Sequence, residues 1–263
     1  MIVRVLDSAG RTALNMCNGV GDFVLFFVRA VSVLLTTRLK VRQVLYQMES
    51  IGVGSSLIVF LTGSFTGLAF ALQSYIGFSR VGTEEFIGLV VTLGMTRELG
   101  PVLTGLMVTG RCGSAMAAEI GSMRITEQVD ALSTLCIDPY QYLIVPRIVA
   151  STLIMPFLTV LSMLCGIVGG YLLCVYVLFL NPEQYIDIIR ERVELSDITG
   201  GLIKAAFFGL FLAWVGTYEG FTTTGGAQGL GRSTTRSVVI GSIIILISNY
   251  FLTSWLFQTG VAA

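Results

Sequence analysis

The sequence predicts an all-α integral membrane protein, built from an interfacial amino-terminal helix and five transmembrane helices. Of its 263 residues, 54% are hydrophobic and only 12% are charged. Ordinary soluble domains contain roughly 45–50% apolar and about 25% charged residues. The 16 basic and 16 acidic residues cancel, so the overall charge gives no indication of a nucleic-acid partner. These observations favour one membrane domain over residues 1–263.

The amino-terminal region, residues 1–48, is expected to anchor the chain in the membrane interface. Its apolar run at residues 23–35 is interrupted by Arg29 and is 13 residues long. A spanning helix needs about 20 residues. Because Arg38, Lys40 and Arg42 follow the run, we predict a helix that lies in the cytoplasmic interface.

The remainder, residues 49–263, forms the predicted five-span core. Each apolar stretch is long enough to cross a bilayer, and the third is so long that it must tilt or extend beyond the membrane. The predicted spans cover residues 55–78, 86–109, 144–180, 202–220 and 238–257.

The distribution of basic residues predicts the orientation. With the amino terminus inside, eleven basic residues are cytoplasmic and only Arg80, Arg190 and Arg192 are external. The positive-inside rule then predicts a cytoplasmic amino terminus and a periplasmic carboxyl terminus in a bacterial inner membrane. The cytoplasmic set is Arg4, Arg11, Arg29, Arg38, Lys40, Arg42, Arg111, Arg124, Arg147, Arg232 and Arg236.

Two local patterns give further expectations. The external residues 181–197 place Ile186, Ile189 and Val193 at near-helical spacing, which fits either a short amphipathic helix or a solvated connector. The segments GSFTG, GIVGG and GTYEG, at residues 63–67, 166–170 and 216–220, each bring glycines onto one helix face. Such faces let helices pack closely, within the subunit or across a dimer.

The second span carries an unusual polar point. In LVVTLGMTRELGPVLTGLMV, residues 89–108, Arg97 and Glu98 precede Pro101. A charge at the membrane centre costs at least about 2.5–3.5 kcal/mol, so it usually faces a cavity or a partner. Adjacent helical residues point about 100° apart. We therefore expect at least one of the two to pair elsewhere, with Lys204 or across a dimer, and Pro101 to kink the span.

Catalysis by this chain is disfavoured. It has no histidine and no CxxC pair, which removes Ser-His-Asp arrangements and the usual zinc ligand sets, so no metal site is predicted. The segment GGAQGLGRST, residues 225–234, lacks the Lys-Ser/Thr ending of a P-loop and reads better as a tight cytoplasmic turn. ATP-driven transport would require a separate ATPase subunit that binds a cytoplasmic surface.

The longest cytoplasmic loop offers such a surface. Residues 115–135 contain no proline and predict a helix, on which an acidic stripe recurs at i, i+4, i+8 and i+11. From the pattern alone it is either a solvated connector or a docking element. The stripe consists of Glu119, Met123, Glu127 and Asp130.

One segment here resembles the signature of the MlaE family of ABC-transporter permeases: RELGPVLTGLMVTGRCGSAMAAEIGSMRITEQVDAL, residues 97–132. The similarity extends to GSFTGLAFALQSY at 63–75, DPYQYLIVPR at 138–147 and GRSTTRSVV at 231–239. The first 45 residues and the segment around 183–197 agree least.

The resemblance implies a homodimeric permease of an Mla-type phospholipid transporter, which maintains lipid asymmetry of the outer membrane. Its implied partners are an ABC ATPase that binds ATP and Mg²⁺, similar to MlaF, and a hexameric MCE-domain lipid carrier, similar to MlaD. A small STAS-type regulatory subunit is a further implied partner. The cytoplasmic coupling helix would map onto residues 119–132, with contacts to the ATPase by Glu119, Met123, Arg124, Glu127 and Asp130.

The resemblance also implies a lipid site near the outer leaflet. By matching position, it would be lined by Phe70, Gln73, Tyr75, Phe78, Arg97, Glu98 and Lys204. Two alternatives stay open. Arg97 and Glu98 could form a structural ion pair without touching lipid, or the three charged residues could be the relay of an ion-coupled secondary transporter. At the start of its span, Lys204 could bind a lipid phosphate or simply extend its ammonium to the interface.

Overall fold

A computed structural model describes residues 2–37 and 39–258, and the side chains among them from Cys17 onward. These residues form helices without a strand, and six of the helices are long and apolar enough to cross a membrane. The protein is therefore an all-α integral membrane protein, as the sequence predicts. The helices are α1 Ile2–Thr36, α2 Val41–Phe78, α3 Glu84–Ile125, α4 Gln128–Thr134, α5 Tyr140–Val177, α6 Pro182–Arg192, α7 Leu195–Phe221 and α8 Gly226–Gln258.

Five of these helices run along one another as a bundle. Gly63 of α2 lies against Ser162 of α5, and further along both helices Ala71 lies beside Gly170, so α2 and α5 are parallel. The order of contacts along each pair of helices also shows that α3 and α7 run parallel to each other. Both run antiparallel to α5 and α8. These five helices contain the five predicted spans, and their directions alternate as the connections require.

Glycines make the closest helix contacts of the bundle. A side chain at Gly67 would collide with the backbone of Gly166, and one at Gly63 would lie 2.8 Å from the Ser162 carbonyl oxygen. In α7, a Cβ atom at Gly216 would lie 3.0 Å from the Gly113 carbonyl oxygen in α3. The three glycine-rich segments thus pack helices inside the subunit, which is one of the two roles that their spacing allowed.

Helix α1 differs from the sequence expectation in length. The predicted 13-residue run belongs to a continuous helix, whose Cys17–Thr36 part is long and apolar enough to cross a membrane. The argument that it is too short to span was wrong, because the helix extends on the amino-terminal side of the apolar run. Arg29, which interrupts the run, lies with its guanidinium carbon 4.5 Å from the centre of the Tyr140 ring.

The contacts of α1 favour the predicted interfacial position over a sixth span. Its Phe23 ring stacks on Trp214 of α7, with ring centres 4.2 Å apart, and Phe26 lies beside Tyr140 of α5. Residues Ala30 and Leu34 then face Val145 and Ile148 of α5. These contacts lie at one end of the bundle, so α1 crosses the bundle instead of running along it. The described side chains do not include three of the basic residues used to predict the orientation, Arg4, Arg11 and Arg38, nor the carboxyl terminus.

The predicted helix over residues 115–135 is divided. Helix α3 continues to Ile125, and after a break the short helix α4 begins at Gln128. At the break Glu127 has a φ angle of 59°, in the left-handed region that non-glycine residues seldom adopt. The expected continuous acidic stripe is therefore wrong, because Glu119 belongs to α3 and Asp130 to α4.

Two connections also depart from expectation in detail. Residues 181–197 do contain a helix, α6, but its packing side chains are Tyr185 and Ile189, whereas Ile186 is exposed. The Asn181 side chain accepts a hydrogen bond from the Glu183 amide and caps α6. At the other end of the bundle, the tight turn expected over residues 225–234 is mostly the first turns of α8.

The contact between α2 and α5 generates a stability prediction. We expect Gly67→Ala to lower the unfolding temperature of the detergent-purified protein strongly, because even a methyl group must push two helix backbones apart. Overpacking of a tight core costs about 1–3 kcal/mol. Gly77→Ala on the same helix is the matched control, since no atom lies within 4 Å of the position that a Cβ would take there. Equal unfolding temperatures for the two variants would contradict this packing.

Candidate functional site

Arg97 and Glu98 lie in a π-helical turn, Met95–Leu99, which ends two residues before Pro101. The turn holds an extra residue, and the Gly100 amide bonds to the carbonyl five residues earlier. Proline has no N–H, so the carbonyl of the residue four positions earlier, Arg97, loses its helical donor. The α-helical hydrogen bonding of the span is thus replaced by a wider turn at its two charged residues. Such π-helical turns occur frequently at functional sites.

Lys204 of α7 compensates for this interruption. Its ammonium donates to the Arg97 carbonyl at 2.8 Å and to the Glu98 carboxylate at 2.6 Å. The Lys204 side chain is only 4% exposed, so it does not reach the interface. Of the sequence alternatives for Lys204, extension to the interface is therefore excluded, and the expected pairing with Glu98 is present. Gly201, one turn earlier, lets α7 lie directly on the Thr96 carbonyl.

Glu98 also joins α8 to the cluster. Asn249 donates to one carboxylate oxygen at 2.8 Å, and Thr253 donates to the other at 2.9 Å. With Lys204, three side chains from two other helices hold one carboxylate. Hydrogen bonds to ionised groups are about twice as strong as neutral ones, so Glu98 is a fixed junction of α3, α7 and α8.

Arg97 points in a different direction and pairs with Asp197 in the first turn of α7. Its Nε donates to Asp197 Oδ1 at 2.5 Å, and its Nη2 contacts the same oxygen. The second Asp197 oxygen accepts from the Glu194 amide at 3.0 Å and completes a capping box. Asp197 is 1% exposed, whereas the Arg97 side chain is 37% exposed. The guanidinium therefore retains an accessible side.

A pocket opens between these three helices. Its volume is about 80 Å³. Its lining includes the charged side chains of Arg97, Glu98 and Lys204. Leu256 and the exposed Phe257 add apolar surface to the same pocket. A pocket of this volume has room for a headgroup-sized polar group and not for a whole phospholipid. Its charges sum to zero, since Arg97 and Lys204 balance Glu98 and Asp197.

The structure separates the two halves of the predicted lipid site. The aromatic residues Phe70, Tyr75 and Phe78 pack on Val91, Met95 and their neighbours, on another side of α3. Gln73 is exposed on α2. Within this chain, these four residues line no part of the pocket at Arg97 and Glu98. Within one subunit the π-helical turn presents Met95 and Glu98 to different neighbours, so a lining shared by the two groups stays a prediction for the interface between two permease halves.

The predicted coupling residues also divide into two groups. Glu119 forms an ion pair with the buried Arg147 of α5 at 2.7 Å, and Met123 packs against the core. Arg124 and Asp130 pair across the break at 2.5 Å, so they connect α3 to α4. Glu127 stands exposed at the break itself. Glu127, Arg124 and Asp130 thus form a compact exposed group, which Glu119 does not join.

Sequence reasoning missed Asp197, Asn249 and Thr253. Asp197 carried a usable signal, because a Glu followed three residues later by an Asp, just before an apolar run, resembles a capping pattern. Asn249 and Thr253 are four residues apart on the last span, which places both on one helix face. Polar residues on such a face predict a buried partner but do not name it.

This arrangement defines a class of protein: a polytopic membrane protein whose helices meet at a buried charged junction beside a small amphipathic pocket, as in a permease. The model of the family described as Permease MlaE matches residues 44–255. The chain belongs to the MlaE permease family, and is an ABC-transporter permease subunit.

Several relatives cover nearly the whole chain. A probable ABC transporter permease protein of Rickettsia felis is 44% identical over 98% of this chain and 100% of its own length. The intermembrane phospholipid transport system permease protein MlaE of Haemophilus influenzae is 34% identical over 99% of this chain and 100% of its own length. The chloroplastic protein TRIGALACTOSYLDIACYLGLYCEROL 1 of Arabidopsis thaliana is 40% identical, over 82% of this chain and 62% of its own length.

The burial of the ion pair predicts an asymmetric response to mutation. Glu98→Gln leaves the buried Lys204 ammonium without its counter-charge, for which losses of about 3–5 kcal/mol are typical. Lys204→Met leaves a carboxylate that is 39% exposed and still bound by Asn249 and Thr253, so it should cost less. The double variant should be more stable than Glu98→Gln. Thermal unfolding of the detergent-purified variants measures this, and additive losses would contradict the coupling.

Proposed function

We propose that this chain is the permease subunit of a phospholipid transporter in a bacterial inner membrane. It would move lipid between that membrane and a periplasmic MCE-domain carrier similar to MlaD. The observation that carries the proposal is the pocket of α3, α7 and α8, together with the phospholipid transport for which the Haemophilus influenzae relative is named. Such transport would maintain the lipid asymmetry of the outer membrane.

The chemistry of the pocket suits a phospholipid headgroup. Arg97 binds Asp197 through Nε and Nη2, and no partner of its Nη1 is found in the described part of the chain. A guanidinium presents donors in a planar fork that suits phosphate oxygens. Leu256 and the exposed Phe257 give the same pocket an apolar wall, along which the start of an acyl chain could lie. Since the pocket is too small for a whole lipid, the acyl chains would lie outside it.

The predicted aromatic half of the site belongs to the same proposal in altered form. Phe70, Gln73, Tyr75 and Phe78 lie near the carboxyl-terminal end of α2, at the same end of the bundle as the pocket. In a homodimer, the α2 surface of one subunit could face the pocket of the other. The proposed lipid path would then be composite, with a second copy of the chain completing the lining.

The energy source is proposed to be ATP, bound with Mg²⁺ and hydrolysed by a separate ATPase subunit similar to MlaF, with or without a STAS-type regulator. Helix α4 would be the coupling element, because most of its side chains are exposed while Val129 fixes it to the core. The charge distribution favours a cytoplasmic position for this end of the bundle and a periplasmic carboxyl terminus.

The ion-coupled carrier is the weaker candidate. In that role Glu98 and Lys204 would have to exchange partners during transport, yet both are held by several hydrogen bonds that stabilise the joint of α3, α7 and α8. Membership in a family of ABC permeases also favours ATP-driven coupling. The structural role of the ion pair and a headgroup role of Arg97 are compatible, since they use different atoms.

Site-specific photocrosslinking tests the lipid pocket. A photoreactive residue at Thr253 or Phe257 should trap radiophosphate-labelled phospholipid in cells, severalfold more than one at Ile247. Ile247 lies on α8 and is exposed, but it does not line the pocket, so it is the matched control. Repeating the measurement with Arg97→Gln should lower trapping at Thr253 and leave Ile247 unchanged. Equal labelling at all three positions would exclude a specific headgroup pocket here.

A charge exchange tests the coupling role of α4. Asp130→Arg should lower lipid-stimulated ATPase activity of the assembled transporter, because it opposes Arg124 and frees α4 from the end of α3. The double variant Arg124→Asp, Asp130→Arg restores the pair with reversed charges. Recovery would show that the position of α4 matters, and continued loss would show that the ATPase recognises the charges themselves. Full activity of the single variant would remove α4 from the coupling path.

A further inference from the structure

A second cleft lies at the opposite end of the bundle from the Arg97 pocket, between α2, α3 and α5. Its volume is about 360 Å³. A smaller space of about 110 Å³ adjoins it, sharing Gln47 and Glu119 and lined by Arg111. We call this the α2–α3–α5 cleft and define it by Arg42, Gln43, Tyr46, Glu119, Tyr142 and Arg147.

The cleft contains a buried guanidinium with unused hydrogen-bonding capacity. Arg147 is 3% exposed, and it donates to the Leu143 carbonyl at 2.7 Å and to Glu119 at 2.7 Å. Its Nε has no partner among the described atoms, and the same is true of the buried amide oxygen of Gln43. Buried polar groups without partners are rare, because each costs about 1–3 kcal/mol. Both residues line the cleft, where the guanidinium charge of Arg147 is balanced only by the Glu119 carboxylate.

The charge of the cleft selects an anion. Arg42 and Arg147 outweigh the single carboxylate of Glu119, which already pairs with Arg147. Arg42 forms no hydrogen bond or ion pair within the described residues. Lys40 adds a further positive charge, with its ammonium 4.8 Å from the centre of the Tyr142 ring. The cleft is therefore cationic, and a phosphate group would accept from its guanidinium donors.

The position of the cleft identifies the source of that phosphate. Arg147 lies seven residues into α5, or about 10 Å along a helix with a rise of 1.5 Å per residue. Tyr46 and Tyr142 are exposed and line the same cleft, and tyrosines are enriched where membrane meets water. Val41 and Leu45 are exposed beside them on α2 and would contact acyl chains. The predicted third span begins at residue 144, which places Arg147 inside the membrane end of that span and favours a lipid phosphate over a soluble one.

We propose that the α2–α3–α5 cleft binds the phosphate of an anionic phospholipid from the leaflet at that end of the bundle, by the charge of Arg42 and Arg147. Basic pockets between membrane helices are known to bind anionic headgroups. This site is separate from the pocket at Arg97, and it does not depend on lipid binding there. It couples the surrounding leaflet to α3 through Glu119, six residues before the end of that helix.

The test measures lipid enrichment in the full chain within nanodiscs of phosphatidylcholine with a minor fraction of phosphatidylglycerol. A photoreactive residue replaces Tyr46, which lines the cleft, or Leu45, which does not and reports the surrounding lipid. Radiolabel is placed in one lipid or the other. We expect the phosphatidylglycerol-to-phosphatidylcholine labelling ratio at position 46 to exceed that at position 45 by about tenfold, the effect of one charged hydrogen bond.

Charge variants then identify the ligands. Arg42→Gln and Arg147→Gln should lower the ratio at position 46 to that at position 45, whereas Arg124→Gln, which removes a charge outside the cleft, should not. Arg42 is exposed, so its replacement tests the proposal even if Arg147→Gln unfolds. Unchanged enrichment in Arg42→Gln would overturn the proposal. Loss of enrichment when inorganic phosphate is added in the millimolar range would also overturn it, by showing a site for free phosphate.

Discussion

The ammonium of Lys204 is the contact on which one end of the bundle depends. Pro101 deprives the Arg97 carbonyl of its helical donor, and Lys204 supplies another donor at 2.8 Å while it neutralises Glu98. The backbone defect and the buried carboxylate therefore stabilise one another through one side chain. Because Asn249 and Thr253 bind the same carboxylate, α8 is fixed to α3 and α7 by the same contact. The proposed headgroup pocket beside it is thus lined by side chains of defined position.

The two ends of α3 use charge differently. At its amino-terminal half, Arg97 and Glu98 of α3 balance the charges of Asp197 and Lys204 of α7, and the cluster holds three helices together. Near its carboxyl-terminal end, Arg147 is buried with one partly exposed carboxylate, and Arg42 adds unpaired charge. A neutral cluster is suited to structural stability and to a headgroup that carries both signs, whereas an excess of positive charge is suited to an anion. One long helix thus connects two polar sites of different electrostatic character.

Much of the fold was accessible from the sequence, because long apolar stretches and glycine spacing depend on local chemistry alone. The pairing of Glu98 with Lys204 was also accessible, since a buried carboxylate requires a cation and few were available. The contribution of Asn249 was not, because nothing local specifies which helix faces Glu98. The break at Glu127 was hidden for a similar reason: a glutamate with φ of 59° carries none of the glycine or asparagine signals of a left-handed residue. The length of α1 was misjudged because an apolar run was equated with a helix.

The π-helical turns of α3, Met95–Leu99 and Thr109–Gly113, alter the phase of the helix. Each inserts one residue, so every side chain beyond it is rotated by about 100° relative to an uninterrupted α-helix. Residues spaced seven apart across such a turn no longer share a face. Met95 consequently packs toward α2 and α5 while Glu98 meets α7 and α8. The residues that share a face of α3 must therefore be counted separately before, between and after the two π-helical turns.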